Sequence, residues 1–249
     1  MTAAGSTRQV RHWGIMADIA VRSRRSGRPR ARPGAPSDLS PREQIMDAAA
    51  ALFVESGFAA TTTRLIAEQV GIRQASLYYH FAGKDEILLE LLTRSVRPSL
   101  EAAHRLAARA ETVDDPAAGL YALALVDVGT LSATPHNVGT LYLLPEVQQP
   151  QYDAFRAERA ALQAVYGRLA AAAGHDDEIG EGLAGALVMQ LVESVIQIRR
   201  DGLTHPRTAD VIARSCLRIV GLTADEVDRA RLAALALVAE RDGGPGPAT

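Results

Sequence analysis

The chain has 249 residues, 47% of them hydrophobic and 22% charged, with a formal net charge of −2, which is enough apolar material for one or two domains and is not the composition of a disordered chain. A single cysteine, Cys216, excludes an intramolecular disulfide and a cysteine-built zinc site. Aromatics at 4% and abundant alanine favour helices over a β-sandwich, and the most apolar stretch, Leu183 to Ile198, is broken by Gln190, Glu193 and Gln197, which argues against a membrane span.

Residues 1–39 are rich in Arg, Pro, Gly and Ser and read as a disordered arm. Residues 1–40 carry eight arginines against two acids, a net +6 that leaves −8 on the rest. A basic arm on an acidic body suggests a polyanionic partner. The run Arg24-Arg25-Ser26-Gly27-Arg28-Pro29-Arg30 is similar to the Gly-Arg-Pro core of an AT-hook, which lays arginines in a narrow minor groove. Met16 is an alternative start of translation. The arm has no apolar stretch of signal-peptide length, so a cytoplasmic location is expected.

Order is expected to begin at Ser40-Pro41-Arg42-Glu43, where Ser at the N-cap, Pro at the first position and Glu at the third make a capping box. Ile45, Ala48, Ala49, Leu52 and Phe53 then recur at helical spacing. Gly57 is expected to close this helix in the left-handed conformation, with Phe58 packing back on Phe53. A second helix should start after Thr62 and run to about Val70, with Leu65, Ile66 and Val70 inward. Gly71 turns the chain into a short third helix, about Gln74 to His80. Two short helices joined by a glycine turn on a longer first helix make a helix-turn-helix unit. A fourth helix begins near Lys84, and Pro98 should kink or end it. Further helices are expected over about 99–111, 116–132, 150–173, 178–201, 207–221 and 223–241. Prolines at 135, 145 and 150 bracket an irregular segment. The chain is therefore read as all-α: an arm over 1–39, a helix-turn-helix domain over 40–84, a larger helical domain over 85–242, and a frayed tail over 243–249.

In the third helix, Leu77 and Phe81 lie four apart and must face the small core. Gln74, Ala75 and Tyr78 then occupy the opposite face, with Arg73 at its edge. Gln can bond adenine, Arg guanine, and Ala or Tyr can touch a thymine methyl. The opened helix N-terminus at Thr62 and Thr63 favours an anion. Lys84, the chain's only lysine, sits at a helix N-terminus where the dipole disfavours a cation, a placement that makes sense if it meets a phosphate. Against this stands a net charge of −3 over residues 41–92, although phosphate neutralisation normally supplies much of the affinity.

Four pieces of this region, A-A-x-L-F-x-x-x-G-F at 49–58, T-T-x-x-I-A at 62–67, V-G-I at 70–72 and L-Y-Y-H-F-x-x-K at 77–84, together resemble the DNA-binding domain of the TetR family of bacterial transcriptional regulators. The resemblance covers about fifty residues; beyond them it rests on length and helical character. It implies DNA contacts at Thr62, Thr63, Arg64, Arg73, Gln74, Ala75, Ser76, Tyr78, Tyr79, His80 and Lys84. It implies a homodimer on a palindromic operator, released by a small effector, with the long fourth helix as lever. Leu183, Leu187, Leu191, Val195, Val211 and Leu217 are candidates for the dimer interface, helped by small residues at Gly182, Ala184, Gly185 and Ala186. Tyr121, His136, Tyr142, Tyr166, Gln190 and Glu193 are candidate effector contacts. The alternative is a regulator of the same fold with no small ligand, controlled by a protein partner or by abundance. An effector pocket should show as an enclosed cavity of at least ~300 Å³ in the C-terminal domain. An enzyme is not expected, since no nucleophile–base grouping or phosphate loop stands out, and no cofactor or metal is implied.

Overall fold

The computed structural model describes residues 39–174 and 180–239, and every element among them is helical. Apart from Leu39, the arm expected over 1–39, with its Gly-Arg-Pro run, lies outside the described residues, as does the tail over 243–249. Helix α1 spans Pro41–Ser56. Its capping box forms as read: the Glu43 backbone N–H donates to Ser40 Oγ, and Glu43 Oε2 accepts from the Ser40 N–H at 2.8 Å. Helices α2, Thr63–Val70, and α3, Gln74–His80, follow. Phe53 and Phe58 meet edge to face at 5.0 Å. Gly57 has a positive φ but an extended ψ (86°, 150°), not the left-handed cap expected. The Thr61 hydroxyl donates to its carbonyl at 2.8 Å and supplies that cap instead.

Helix α4 runs unbroken over Lys84–Val113, with Pro98 inside it. The helix does not end at the proline, because the residues around it, Ser95, Val96, Ser99, Ala102 and Ala103, are all buried. That packing outweighs the roughly 3 kcal/mol local cost of the ring. Helix α5, Pro116–Ala133, is capped by Asp115, whose carboxylate accepts from the Ala118 N–H at 2.8 Å. Helices α6 (Asp153–Ala173), α7 (Gly180–Arg200), α8 (Thr208–Ile219) and α9 (Ala224–Ala239) complete the fold. α5 packs against α4, α6, α7, α8 and α9. By length and mean hydropathy both α5 and α7 could cross a membrane, which corrects the expectation that no stretch qualifies; α5 spends that hydropathy on the core, where Leu120, Tyr121, Leu123 and Val128 are buried.

Two glycines set the α6–α7 contact. A Cβ on Gly185 would lie 2.5 Å from the Gln163 carbonyl oxygen, and one on Gly167 2.4 Å from that of Glu181. The two backbones touch only because neither residue has a side chain. Part of the small-residue stripe assigned to dimer packing therefore serves contact within one chain, whereas a Cβ on Gly182 would meet nothing within 4 Å.

Between α5 and α6 the chain winds through 3-10 turns at Pro135–Leu143, Pro145–Gln148 and Pro150–Tyr152. The first is bent by His136 and Asn137, both at positive φ (53° and 54°). It is tied at several points. His136 Nε2 lies 2.7 Å from Asp47 Oδ1 on α1. Asn137 donates to the Ile196 carbonyl on α7 at 2.9 Å, and Arg199 donates to Asn137 Oδ1 and to the carbonyls of Leu131 and Thr134. At its far end the Tyr142 hydroxyl pairs with Ser95 Oγ on α4 at 2.8 Å.

Candidate nucleic-acid interface

The α2–α3 unit is built by caps at both ends of α2. Thr62 Oγ1 accepts from the Leu65 N–H at 3.2 Å. Gly71 is left-handed (φ 82°, ψ 23°), and its N–H and that of Ile72 both reach the Ala67 carbonyl at 3.0 Å. The turn aims α3 so that Leu77 and Phe81 are buried while Arg73, Gln74, Ala75, Ser76, Tyr78 and Tyr79 stand exposed. Tyr79 is 87% exposed and edge-on to His80, ring centroids 5.2 Å apart. Leu65, expected inward, is exposed; Ile66 and Ala67 alone bury in α2, since an eight-residue helix on a small core has room for one narrow stripe.

Three of the expected side chains meet across the two helices. Gln74 Nε2 donates to Thr63 Oγ1 at 2.9 Å and lies 3.5 Å from Tyr78 Oη, which is itself 3.2 Å from Thr63 Oγ1. One amide proton of Gln74 is engaged, and the longer contact is marginal, so the amide keeps a donor and its carbonyl oxygen for a base edge. Arg64 is paired with Glu68 at 3.0 Å on an exposed surface, a bond weak enough to exchange for a phosphate or base. The Arg73 carbonyl accepts from the N–H groups of Ser76 at 2.9 Å and Leu77 at 3.3 Å, while its guanidinium makes no bond among the described residues.

The other two cations of the region are committed elsewhere. Lys84 Nζ donates to the carbonyls of Phe58 at 2.8 Å and Thr61 at 3.0 Å, with that of Ala59 at 3.4 Å, and sits 4.3 Å over the Phe58 ring. Its three protons are directed at the loop between α1 and α2, so the phosphate contact expected of it requires the ammonium to leave those carbonyls. Arg42, which the sequence did not single out, donates to the His80 carbonyl at 2.7 Å, pairs with Glu90 and lies 4.0 Å over the Phe81 ring. It locks the end of α3 to α1 and α4. Its partners are a backbone oxygen and residues about 40 positions away, which leave no local pattern to read.

The six candidate effector contacts do not form one site. Tyr142, Tyr166 and Glu193 gather around a polar cluster between α4, α5, α6 and α7. There Asp127 accepts from Ser99 Oγ at 2.6 Å and from the Tyr166 hydroxyl at 2.8 Å, and Arg159 pairs with Glu193 at 2.5 Å. Burial pushes the Asp127 carboxyl up to about 6 and the Tyr166 hydroxyl well above its usual range. Tyr121 instead donates to Asp210 at 2.5 Å, tying α5 to α8; it is fully packed there. Gln190 is exposed. His136 lines an open groove of about 300 Å³ between α1, α4 and the first 3-10 turn, with Met46, Ala50, Leu91 and Val138. A second open groove of about 380 Å³ lies beside α9. The cavity at the Asp127 cluster itself holds only about 10 Å³.

Of the interface candidates, Leu183 and Val211 are exposed (56% and 51%) and Leu187 and Leu191 half-buried. Val195 and Leu217 are buried within the single chain and have no surface to give a partner. A 3.6-residue period marks both stripes as apolar without saying which one the chain itself covers.

The description "Bacterial regulatory proteins, tetR family" matches residues 45–91. The HTH-type transcriptional repressor KstR2 of Mycobacterium tuberculosis is 51% identical over 53 residues, 21% of this chain and 26% of that protein. The Escherichia coli tetracycline repressor protein class D is 41% identical over 66 residues, 25% and 30% of the two chains. The match thus spans between a quarter and a third of these curated relatives. Among solved structures, Mycobacterium smegmatis AmtR is 39% identical, with a TM-score of 0.69, over 82% of this chain and 98% of that one.

Proposed function

The chain belongs to the tetR family of bacterial regulatory proteins, and from that premise we propose that it is a cytoplasmic homodimeric repressor whose two copies of α3 read the halves of a palindromic operator. The observation that carries this reading is the exposed Thr63–Gln74–Tyr78 cluster, which fixes a base-reading amide at the front of α3 with Leu77 and Phe81 anchoring it from behind. Arg64, Arg73, Ala75 and Ser76 complete the base-facing set, and Thr62, Tyr79 and His80 supply backbone contacts. Leu183, Leu187, Leu191 and Val211 form the face offered to the second copy. The domain division at residue 84 and the absence of a catalytic role belong to the same proposal.

Selection of bound sequences from a random DNA pool, with sedimentation of the protein and its complex, tests it. The expected result is a two-fold symmetric site bound by two chains. A single unrepeated half-site, or a monomer at micromolar concentration, overturns it.

Release by a small effector is part of the proposal, and the buried Asp127 cluster supports it: a carboxylate buried on neutral donors is costly, and a cationic ligand offsets that cost. One curated relative also carries a small molecule in its name, tetracycline. The second reading, control without a small ligand, is favoured by the 10 Å³ cavity, far below the ~300 Å³ of an ordinary ligand site. On the effector reading this conformation is closed, and a ligand enlarges it by displacing Met189, Leu131 or Leu162, which line the cavity. Methionine is well suited to give way.

A further inference from the structure

Two carboxylates line the small interior cleft, and one guanidinium answers one of them. Asp127 and Glu193 both line it. Glu193 is neutralised by Arg159 through two contacts, at 3.0 and 2.5 Å. Among the described residues the Asp127 carboxylate has only the hydroxyls of Ser99 and Tyr166. Tyr142 and Ser95, which pair with each other, also line the cleft, and the buried thiol of Cys216 on α8 feels the Asp127 charge from behind the lining. The cluster is therefore one positive charge short. A carboxylate removed from water is costly unless a cation answers it, and each Asp127 oxygen, accepting one bond, keeps a further acceptor site. The remaining walls, Val96, Leu131, Leu162 and Met189, are apolar. A cavity of about 10 Å³ is the room of one water-sized group.

We propose that this cleft is the binding site for the protonated amine of a small effector with a short apolar body, with Asp127 as its counter-ion. The amine nitrogen takes the open position beside Asp127, and the body lies against Leu162 and Met189. The inference rests on the effector reading above and names the chemical class of that effector. Occupation restores charge balance and lowers the Asp127 carboxyl from its raised position near 6, so amine binding tightens as pH rises through that value.

The test is calorimetric titration of the full chain with n-butylammonium chloride and with butan-1-ol, its uncharged counterpart, at matched ionic strength. The amine should bind at least about tenfold more tightly than the alcohol, and Asp127→Asn, which keeps the shape and should fold, should abolish the preference. Glu193→Gln, which leaves Arg159 uncompensated, should weaken amine binding as an independent variant. Asp228→Asn, on exposed α9, should not. Equal binding of amine and alcohol, a preference that survives Asp127→Asn, or no amine binding at all would each overturn the proposal. If the amine binds through Asp127 while operator affinity stays constant at saturation, the amine site stands and effector release fails. If an uncharged compound releases the operator through this cleft, release stands and the cationic class fails.

Discussion

Replacing Lys84 with methionine separates two roles for one residue. The structure has its ammonium on the carbonyls of Phe58 and Thr61, with Ala59 at longer range and the Phe58 ring beneath. Hydrogen bonds to a charged group contribute about 1.5–3 kcal/mol net. Lys84 is half-exposed and water can reach part of the loop once the ammonium is gone, so the lower end applies. The lost ring contact adds about 0.5–1 kcal/mol. The sum is roughly 2 kcal/mol, which for a chain of this size lowers Tm by about 4–8 °C. The salt dependence of DNA binding should keep its slope, because no phosphate contact disappears. Thermal unfolding and a salt titration on operator DNA measure the two effects separately. Unchanged Tm with a slope reduced by about 0.9 would put Lys84 on a phosphate and refute the clamp.

Gln74→Ala should lose roughly 1–3 kcal/mol of operator discrimination while non-specific binding persists, read by competition titration. Deleting residues 1–38 should flatten the slope of log affinity against log salt by roughly 3 units if three of the eight arginines engage, without changing the preferred operator; equal slopes would make the arm a spectator. Gly185→Ala should destabilise by about 1–3 kcal/mol despite alanine's higher helix propensity, because its Cβ meets backbone on α6. Gly182→Ala, facing open space in the single chain, should be neutral or gain up to about 1 kcal/mol in denaturant unfolding. For Asp127, the folded carboxyl near 6 lies above its ordinary 3.8. The unfolded chain therefore ionises first, stability falls as pH rises from about 4 to 6, and the deficit persists above that. Two pH units of displacement correspond to roughly 3 kcal/mol, so Asp127→Asn should flatten this fall and melt higher than the parent at pH 7.

The N-terminal unit was the readable part of the chain because its determinants are local. Ser40 with Glu43, Thr62, Gly71, and the Leu77–Phe81 pair each act within four residues, and each behaves in space as its chemistry dictates. Pro98 shows the opposite case: the rule against proline is local, and the packing that overrides it comes from other helices. Lys84 and Arg42 bond backbone oxygens 23 to 38 positions away, and a carbonyl carries no residue identity. The effector candidates were chosen for polarity inside apolar segments. That criterion found Tyr142, Tyr166 and Glu193 but not Asp127, Ser99 or Arg159, which complete their cluster. It also drew in Tyr121, whose hydroxyl only ties two helices together.

The bent turn at Pro135–Leu143 reaches the reading head at one end and the Asp127 cleft at the other. Its His136 holds Asp47 on α1, its Tyr142 holds Ser95 at the cleft wall, and its Asn137 is gripped from α7. Only a short kinked stretch separates His136 from Tyr142, and both ends are fastened. The bend is held in a backbone conformation that costs His136 and Asn137 about 1–3 kcal/mol each. Under the effector release proposed above, this turn is a tie between the cleft and the reading head, and its part-exposed His136–Asp47 contact is the weakest link in it.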